Sequence, residues 1–232
     1  MTSDLSGVRT LMFDFYGTVV DMQGGLIETI APYLKRKGYT GDPSSVVTWW
    51  RRTHFENSMI DALLQREHTP YREIGHGAVD YTLERAGIAH TAAEVRELVD
   101  AITRLRPFPD VIAALDRLRG PYQLVILSNG DPDMLAAGVP FSGVAFDRVI
   151  SVAEAGAFKP HVATYRKAAE LIDVDPSRIL FVANHAFDCI GAKAFGMKTA
   201  FIDRRKRPFG KTPHQPDLVV EDFAALAQTL LS

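Results

Sequence analysis

An α/β fold built on a parallel sheet, with an all-helical segment inserted after the first strand, is predicted by three features of this sequence. Strand-like apolar runs alternate with helical patterns from about residue 105 to the end of the chain, the signature of βαβ units. Residues 22 to 104 carry helical patterns and no convincing strand. Ahead of both stands an apolar run, Val8 to Phe15, broken only by Arg9 and Thr10 before Asp14, as expected of a strand buried on both faces. The expected division is an α/β core from residues 1–21 and 105–232, with a helical cap from residues 22–104.

Each element has its own signal. Gly17 and Thr18 turn the chain after the first strand. A helical pattern then runs through Leu26, Ile27, Ile30, Tyr33 and Leu34 to Gly38, with Pro32 as a candidate kink. Asp42 to Ser45 reads as a helix start, opening a long amphipathic helix from Val46 to about Arg66. Thr69 and Pro70 begin another, with Ile74, Val79, Tyr81 and Leu83 as its core face and Gly87 as its stop. A further helix spans about Thr91 to Leu105. Pro107 to Pro109 punctuates the return to the core.

The core half then alternates. A helix at Val111 to Leu118 leads to a strand at Leu124 to Leu127, closed by Ser128, Asn129 and Gly130. A short helix and a variable stretch carry the chain to a strand at Val149 to Ser151. A helix from Lys159 and Pro160 to Leu171 precedes a strand at Ile179 to Val182. Asn184 to Asp188 follow, then a helix to Phe195. Strands at Thr199 to Ile202 and Leu218 to Val219 and a helix from Glu221 to Leu231 complete the order.

Composition narrows the function. With 232 residues, 47% apolar and 23% charged, the chain has enough apolar surface for a full core. Its 26 basic and 28 acidic residues give a net charge of −2, which supplies no field for nucleic acid or an anionic membrane. The lone cysteine, Cys189, allows neither an internal disulfide nor a cysteine-based zinc site and suits a cytoplasmic location. No basic n-region with an apolar h-region is read at the N-terminus, and no apolar run reaches membrane-spanning length. The run Arg204 to Arg207 is expected to be a solvated loop.

Four strand ends carry polar residues: Asp14, then Ser128 and Asn129, then Lys159 just past the third strand, then Asn184 to Asp188. In a parallel sheet these ends share one edge, where ligands bind in open α/β folds. Asp14 alone could be a nucleophile or a turn cap. A carboxylate, a hydroxyl, a lysine and a second carboxylate at successive ends point to one pocket.

These same stretches, Asp14-Phe-Tyr-Gly-Thr18, Leu127-Ser-Asn-Gly130, Phe158-Lys-Pro160 and Phe181-Val-Ala-Asn-His-Ala-Phe-Asp188, resemble the four motifs of the haloacid dehalogenase superfamily. Pro107 to Val111, Ile150 to Glu154 and the position of Tyr165 resemble its 2-haloacid dehalogenase branch. The resemblance covers nearly the whole chain. It implies a haloacid-dehalogenase-like core and cap, and a metal-independent hydrolase in which Asp14 displaces the 2-substituent of a small carboxylic acid. A covalent ester would form and be hydrolysed to a 2-hydroxy acid. The implied catalytic residues are Asp14, Lys159, Asp188, His185 and Asn184. The implied substrate contacts are Phe15, Tyr16, Ser128, Asn129, Tyr165 and Phe187. Asp188 would handle the hydrolytic water, orient Lys159, or only pair with it. No cofactor is implied, and family members are often dimers, so a homodimer is among the expected states.

Where phosphatases of the superfamily carry a second Asp, this chain has Tyr16, whose phenol, with an ordinary pKa near 10, is a poor proton donor. One acid, Asp188, remains at the fourth motif, a thin set of ligands for Mg²⁺. An idle binding protein would be free to lose nucleophile, lysine and distal acid, and all three are present. Two departures concern the leaving group. The arginine that receives halide in the family aligns near Asp42 and Pro43, where there is none; Arg51 and Arg52 could serve or could be surface charges on their helix. At the fourth motif Ala183, Asn184 and His185 replace small hydroxyl residues and Asn, leaving His185 as a donor for fluoride. Ring opening of azetidine-2-carboxylate is an alternative reading. Its departing ammonium would gain from a missing arginine and from Trp49, Trp50, Phe55, Glu56 and Asp61, although most aromatics spaced along a helix are packing residues and not a ligand cage.

Overall fold

The computed structural model describes residues 4–64 and 67–232, and the expected end of the second helix near Arg66 lies outside them. Six strands are formed: β1 (Thr10–Phe13), β2 (Gln123–Ser128), β3 (Arg148–Ser151), β4 (Ile179–Ala183), β5 (Lys198–Ile202) and β6 (Leu218–Val220). All neighbours are parallel and the order is β3-β2-β1-β4-β5-β6. β1 is central, with Leu11 between Leu124 and Leu180 and Phe13 between Ile126 and Val182. All four of its residues are buried, which explains the unbroken apolar run. The strand order reverses direction around β1, and at such a point the loops diverge and leave a crevice.

Among the described residues the segment after β1 forms four helices before the chain returns to the sheet: α1 (Met22–Arg36), α2 (Pro43–Leu63), α3 (Tyr71–Arg85) and α4 (Ala92–Asp100), the last running into a 3-10 turn at Ala101–Arg104. α2 starts earlier than its apolar pattern suggests. Asp42 caps it, accepting the N–H groups of Ser44 (2.9 Å) and Ser45 (3.2 Å), with Pro43 in the first turn. Asp42 and Pro43 are therefore spent on starting a helix. α4 opens with a capping box between Thr91 and Glu94. α2 packs on α1 and α3, and α3 on α4. Tyr81, read as part of the core face of α3, is instead 47% exposed; Ala78, Val79, Thr82 and Leu83 fill that face.

The remaining helices, α5 (Val111–Leu118), α6 (Pro132–Phe141), α7 (Val162–Ile172), α8 (Ala186–Phe195) and α9 (Phe223–Leu231), surround the sheet. α7 begins at Val162 and not at Lys159, because His161 is its cap and accepts the N–H of Ala163 at 3.2 Å. Lys159 and Pro160, joined by a cis peptide bond, are left in the loop at the sheet's carboxyl edge. Among the described residues no helix is long and apolar enough to cross a membrane.

Candidate active site

Asp14 follows β1 directly, its N–H donating to Val182 O of β4 at 3.1 Å. The chain then turns back through Gly17, at φ +88, a backbone geometry that disfavours any side chain. A Cβ there would also lie 2.9 Å from His185 Cε1 and 3.1 Å from Arg51 Nη2 and would push those side chains aside. This turn brings Thr18 back onto the carboxylate, and its hydroxyl donates to Asp14 Oδ2 at 2.7 Å. The same hydroxyl accepts the N–H of Asn184 at 2.9 Å, and Asn184 Nδ2 donates to Gly17 O at 3.0 Å. Asn184 thus holds the turn after β1 to the end of β4. Thr18 was legible only as a turn residue; its spacing four after Asp14 was the available signal.

Lys159 is buried to 1% exposure, and its ammonium makes three bonds: to Asp14 Oδ1 (2.9 Å), Asp188 Oδ2 (2.7 Å) and Leu127 O (2.9 Å). Its N–H donates to Asn129 Oδ1 at 3.0 Å, so the loops after β2 and β3 fix its position. Asp188 is fully buried, and Tyr165 donates to its other oxygen at 2.7 Å. Gly191 makes this possible: a Cβ there would lie 2.6 Å from the Tyr165 hydroxyl. Burial alone would raise the Asp14 carboxyl, but Lys159, His185 and Thr18 outweigh it and hold it well below the carboxylate range. Burial and the charge of Asp14 move Asp188 upward against the pull of Lys159. Both carboxylates together keep Lys159 protonated despite its burial.

Asp14 opens on a cavity of about 520 Å³ that reaches from the sheet edge to α1 and α2. From the expected set, Asp14, Tyr16, Asn129, Lys159, His185 and Phe187 line it. The other five expected residues, Asp188 among them, lie behind the wall. Phe15 and Ser128 are buried in the core, and the Ser128 hydroxyl accepts the N–H of Gly130 at 3.2 Å, serving its own turn. Tyr165 faces Asp188, and Asn184 faces Gly17. Phe15, Ser128 and Tyr165, expected as substrate contacts, are buried and are not among the residues that line the cavity. His185 Nδ1 sits 3.3 Å from Asp14 Oδ2. Tyr16 stacks on Tyr71 at 5.9 Å, its hydroxyl buried without a hydrogen-bond partner among the described residues and its pKa raised by burial.

The helical segment contributes Tyr71, which the sequence did not single out, and Arg51 and Phe55, weighed only as alternatives. Tyr71, at the start of α3, lines the cavity and stacks on His54 at 3.9 Å. Burial lifts its phenol, with Arg51 opposing and Asp14 adding to the rise. Arg51 turns inward, donates to Gln23 Oε1 at 2.8 Å and lies over Gly17. Burial first, then Arg205, lowers its pKa to about 10, so it stays cationic near neutrality. A cation therefore reaches this place from α2, although none stands at Asp42. Among the aromatics considered for a cage, Trp50 is core, Trp49 lies under Arg85 at 3.9 Å, and only Phe55 reaches the cavity, against Phe187 at 4.3 Å. Glu56 pairs with Arg52 and Asp61 accepts from Thr69. Arg205 and Arg207 are exposed in a loop, as expected of the run, and they also line the open side of the cavity.

The Mg²⁺ that phosphatases of the fold use does not suit these residues: the Lys159 ammonium already occupies the space between the two carboxylates. Among the described residues no group of three His, Cys, Asp or Glu side chains is arranged to hold a metal ion.

Comparison with known proteins agrees with this geometry. The family model for haloacid dehalogenase-like hydrolases matches residues 8–196. An (S)-2-haloacid dehalogenase of Xanthobacter autotrophicus is 35% identical over 199 residues, covering 85% of this chain and 76% of its own. Haloacetate dehalogenase H-2 of a Moraxella species is 30% identical, covering 96% of this chain and 98% of its own. The crystal structure of an L-2-haloacid dehalogenase from Xanthobacter autotrophicus, with chloropropionic acid covalently bound, superposes with a TM-score of 0.85 at 30% identity, covering 97% of this chain and 99% of the other. A nucleophile-bearing parallel sheet, four motifs at its carboxyl edge and near full-length likeness meet in one conclusion: the chain belongs to the haloacid dehalogenase-like hydrolases.

Proposed function

We propose that this chain hydrolyses small 2-substituted carboxylic acids, (S)-2-haloacids first, through a covalent ester on Asp14. The observation that carries this reading is the Asp14 carboxylate, ionised, facing a cavity and held by a buried ammonium at 2.9 Å. In the first step an Asp14 oxygen bonds to the α-carbon while the carbon–halogen bond breaks and its electron pair leaves with the halide. In the second, water adds to the Asp14 carbonyl, the bond from that carbonyl carbon to the ester oxygen breaks, and a 2-hydroxy acid and a proton are released. Splitting the displacement in two replaces one difficult step by two easier ones. Only the first step touches the α-carbon, so an (S)-acid gives the inverted 2-hydroxy acid. The covalently bound chloropropionic acid of the Xanthobacter structure supports this route.

The roles follow from what each group has left to give. Asn129 spends its Oδ1 on the Lys159 N–H, which leaves its Nδ2 donors for the substrate carboxylate. Arg51 would face the departing halide. His185, beside Asp14 Oδ2, would orient the hydrolytic water and take up its proton. Asp188 and Tyr165 are positioning residues: buried off the cavity, they hold Lys159. Residues 22–104 would act as a cap that excludes bulk water. The arginines around the cavity disfavour azetidine-2-carboxylate, whose leaving ammonium they would repel.

The lone cysteine, buried between β4 and β5, fits a reducing cytoplasm. Exposed Ile60, Leu63 and Leu64 at the end of α2 suit a homodimer contact, which light scattering would test. The reaction is tested by assaying 2-chloropropionate with EDTA present: turnover is expected, and Asp14→Asn should abolish repeated turnover. Single turnover in H₂¹⁸O should leave label on Asp14. Full activity of Asp14→Asn, or activity only with added Mg²⁺, would overturn the reading.

A further inference from the structure

The run Arg204 to Arg207 divides sharply in use. Arg204 is structural: it forks onto Asp110 at 2.8 and 2.9 Å and lies 4.0 Å over the Phe108 ring. Arg205 and Arg207 line the same cavity as Asp14. Among the described residues, neither guanidinium donates a hydrogen bond or meets a carboxylate within 4.0 Å. Partial burial, then the like charge of Arg207, lowers Arg205 from its ordinary range, with Asp21 the one acid opposing. Two like cations converge without a counterion at the open end of a chamber whose far end holds the nucleophile.

The chamber is also large. At about 520 Å³ it has room for roughly 17 waters at about 30 Å³ each, and it falls within the size class of sites for far larger ligands than a three-carbon acid. Arg51 and Asn129 at the deep end suffice for the α-carboxylate and leaving group. The outer pair then lacks an assigned task, and a planar guanidinium fork matches a carboxylate or a phosphate.

Resting on the function proposed above, we propose that the preferred substrate carries a second anionic group, carboxylate or phosphate, which Arg205 and Arg207 receive at the cavity mouth while the α-carbon lies at Asp14. The substrate class is then a longer 2-substituted acid with a distal anion, and short haloacids are its truncated forms. Binding spent on that distal group would hold the α-carbon in line with Asp14.

Two measurements separate this inference from the reading beneath it. Calorimetric titration of the wild-type protein with unreactive glutarate, adipate and 4-phosphonobutyrate, against butyrate and hexanoate, tests the rim without any chemistry. At least one dianion should bind roughly 10- to 100-fold more tightly than its chain-matched monoacid. The advantage should shrink severalfold in Arg205→Gln and Arg207→Gln and with added salt. Which dianion wins distinguishes carboxylate from phosphate. Turnover of 2-bromoglutarate and 2-bromoadipate against 2-bromobutyrate and 2-bromohexanoate then extends the test, the diacids showing the lower KM. Equal affinity for dianions and monoacids, or an advantage untouched in both arginine variants, would overturn the distal-anion site even if haloacids are hydrolysed. Failure to turn over any haloacid would instead remove the proposed reaction, while the titration still judged the rim.

Discussion

Removing the ammonium at the centre of the buried cluster should cost more stability than any other single change at this site. Lys159→Met keeps the stem volume and deletes three hydrogen bonds, to Asp14, Asp188 and Leu127 O. It leaves one carboxylate fully buried and another 7% exposed with no countercharge between them. Breaking a buried pair by deleting one partner costs about 3–5 kcal/mol, since the orphaned charge cannot recover its hydration. In a protein of this length about 1 kcal/mol moves Tm by roughly 2–4 °C, so the melting point should fall by roughly 6–20 °C.

The reasoning is sharpened by a second substitution. Asp188→Asn in the Lys159→Met background removes the more deeply buried of the two uncompensated charges, and Tyr165 can still donate to the amide oxygen. Stability should then recover by about 2 kcal/mol relative to Lys159→Met, whereas Asp188→Asn alone should destabilise. That change of sign is the coupling a double-mutant cycle measures. Haloacid turnover should stay lost in both, because the ammonium that holds Asp14 in place is gone. Urea titrations at neutral pH supply the free energies. A Lys159→Met variant within 1 kcal/mol of wild type, or no recovery in the double variant, would refute the charge-cluster account.

Arg51→Gln should lower kcat/KM for 2-chloropropionate by about 100-fold, the scale for losing one charge-stabilising donor, with Arg51→Lys recovering only part; steady-state kinetics checks both. His54, fully buried with its ring 3.9 Å from that of Tyr71, has its pKa lowered from 6.5 to about 4 by burial. The unfolded chain takes up that proton near 6.5 and the folded chain only near 4, so this stability is full above pH 6.5 and drains away as pH falls toward 4. At about 1.36 kcal/mol per pH unit the amount is roughly 3 kcal/mol, and urea midpoints between pH 7 and 4 should fall less steeply in His54→Phe than in wild type. Gly191→Ala would drive a methyl to 2.6 Å from the Tyr165 hydroxyl and 2.8 Å from Pro160 Cβ. It should cost about 1–3 kcal/mol and lower kcat more than it raises KM, as expected for a change that reaches the reaction through Lys159.

The sheet-borne half of this site was readable because of a local rule. A residue just past a buried parallel strand lies at the carboxyl edge whatever else the chain does, so Asp14, Asn129, Lys159 and His185 could be located from strand ends alone. Which of those side chains faces the cavity was not readable, and Ser128 and Tyr165 face inward. The helical half resisted for a different reason. The buried face of α2 includes Trp50, His54, Ser58 and Asp61, a row at helical spacing in which three of four residues are polar. Trp49, Ile60 and Leu63 are exposed. Apolar periodicity therefore misjudges this helix, and the inward turn of Arg51 follows from α2 packing against α1 and α3. Arg205 and Arg207 carried a usable signal: they follow β5 at the same edge as Asp14, which weighed more than the run's basic composition.

Charge bookkeeping explains why the cavity needs its arginines. Asp14, Asp188 and Lys159 together carry one negative charge, so the buried cluster repels the anion it must attack. Lys159 also stabilises the Asp14 carboxylate in its resting state, which opposes transfer of electron density to the α-carbon. Displacement moves that charge from Asp14 to the halide and leaves Lys159 paired with Asp188 alone. Only cations on the far side of the α-carbon are more stabilising after the transfer than before it, and that difference is what accelerates a reaction. Arg51, which lies over Gly17 and lines the cavity, is the cation proposed for that task. A lysine in its stead would keep the charge and lose the fork, so the loss on Arg51→Lys should appear in kcat more than in KM.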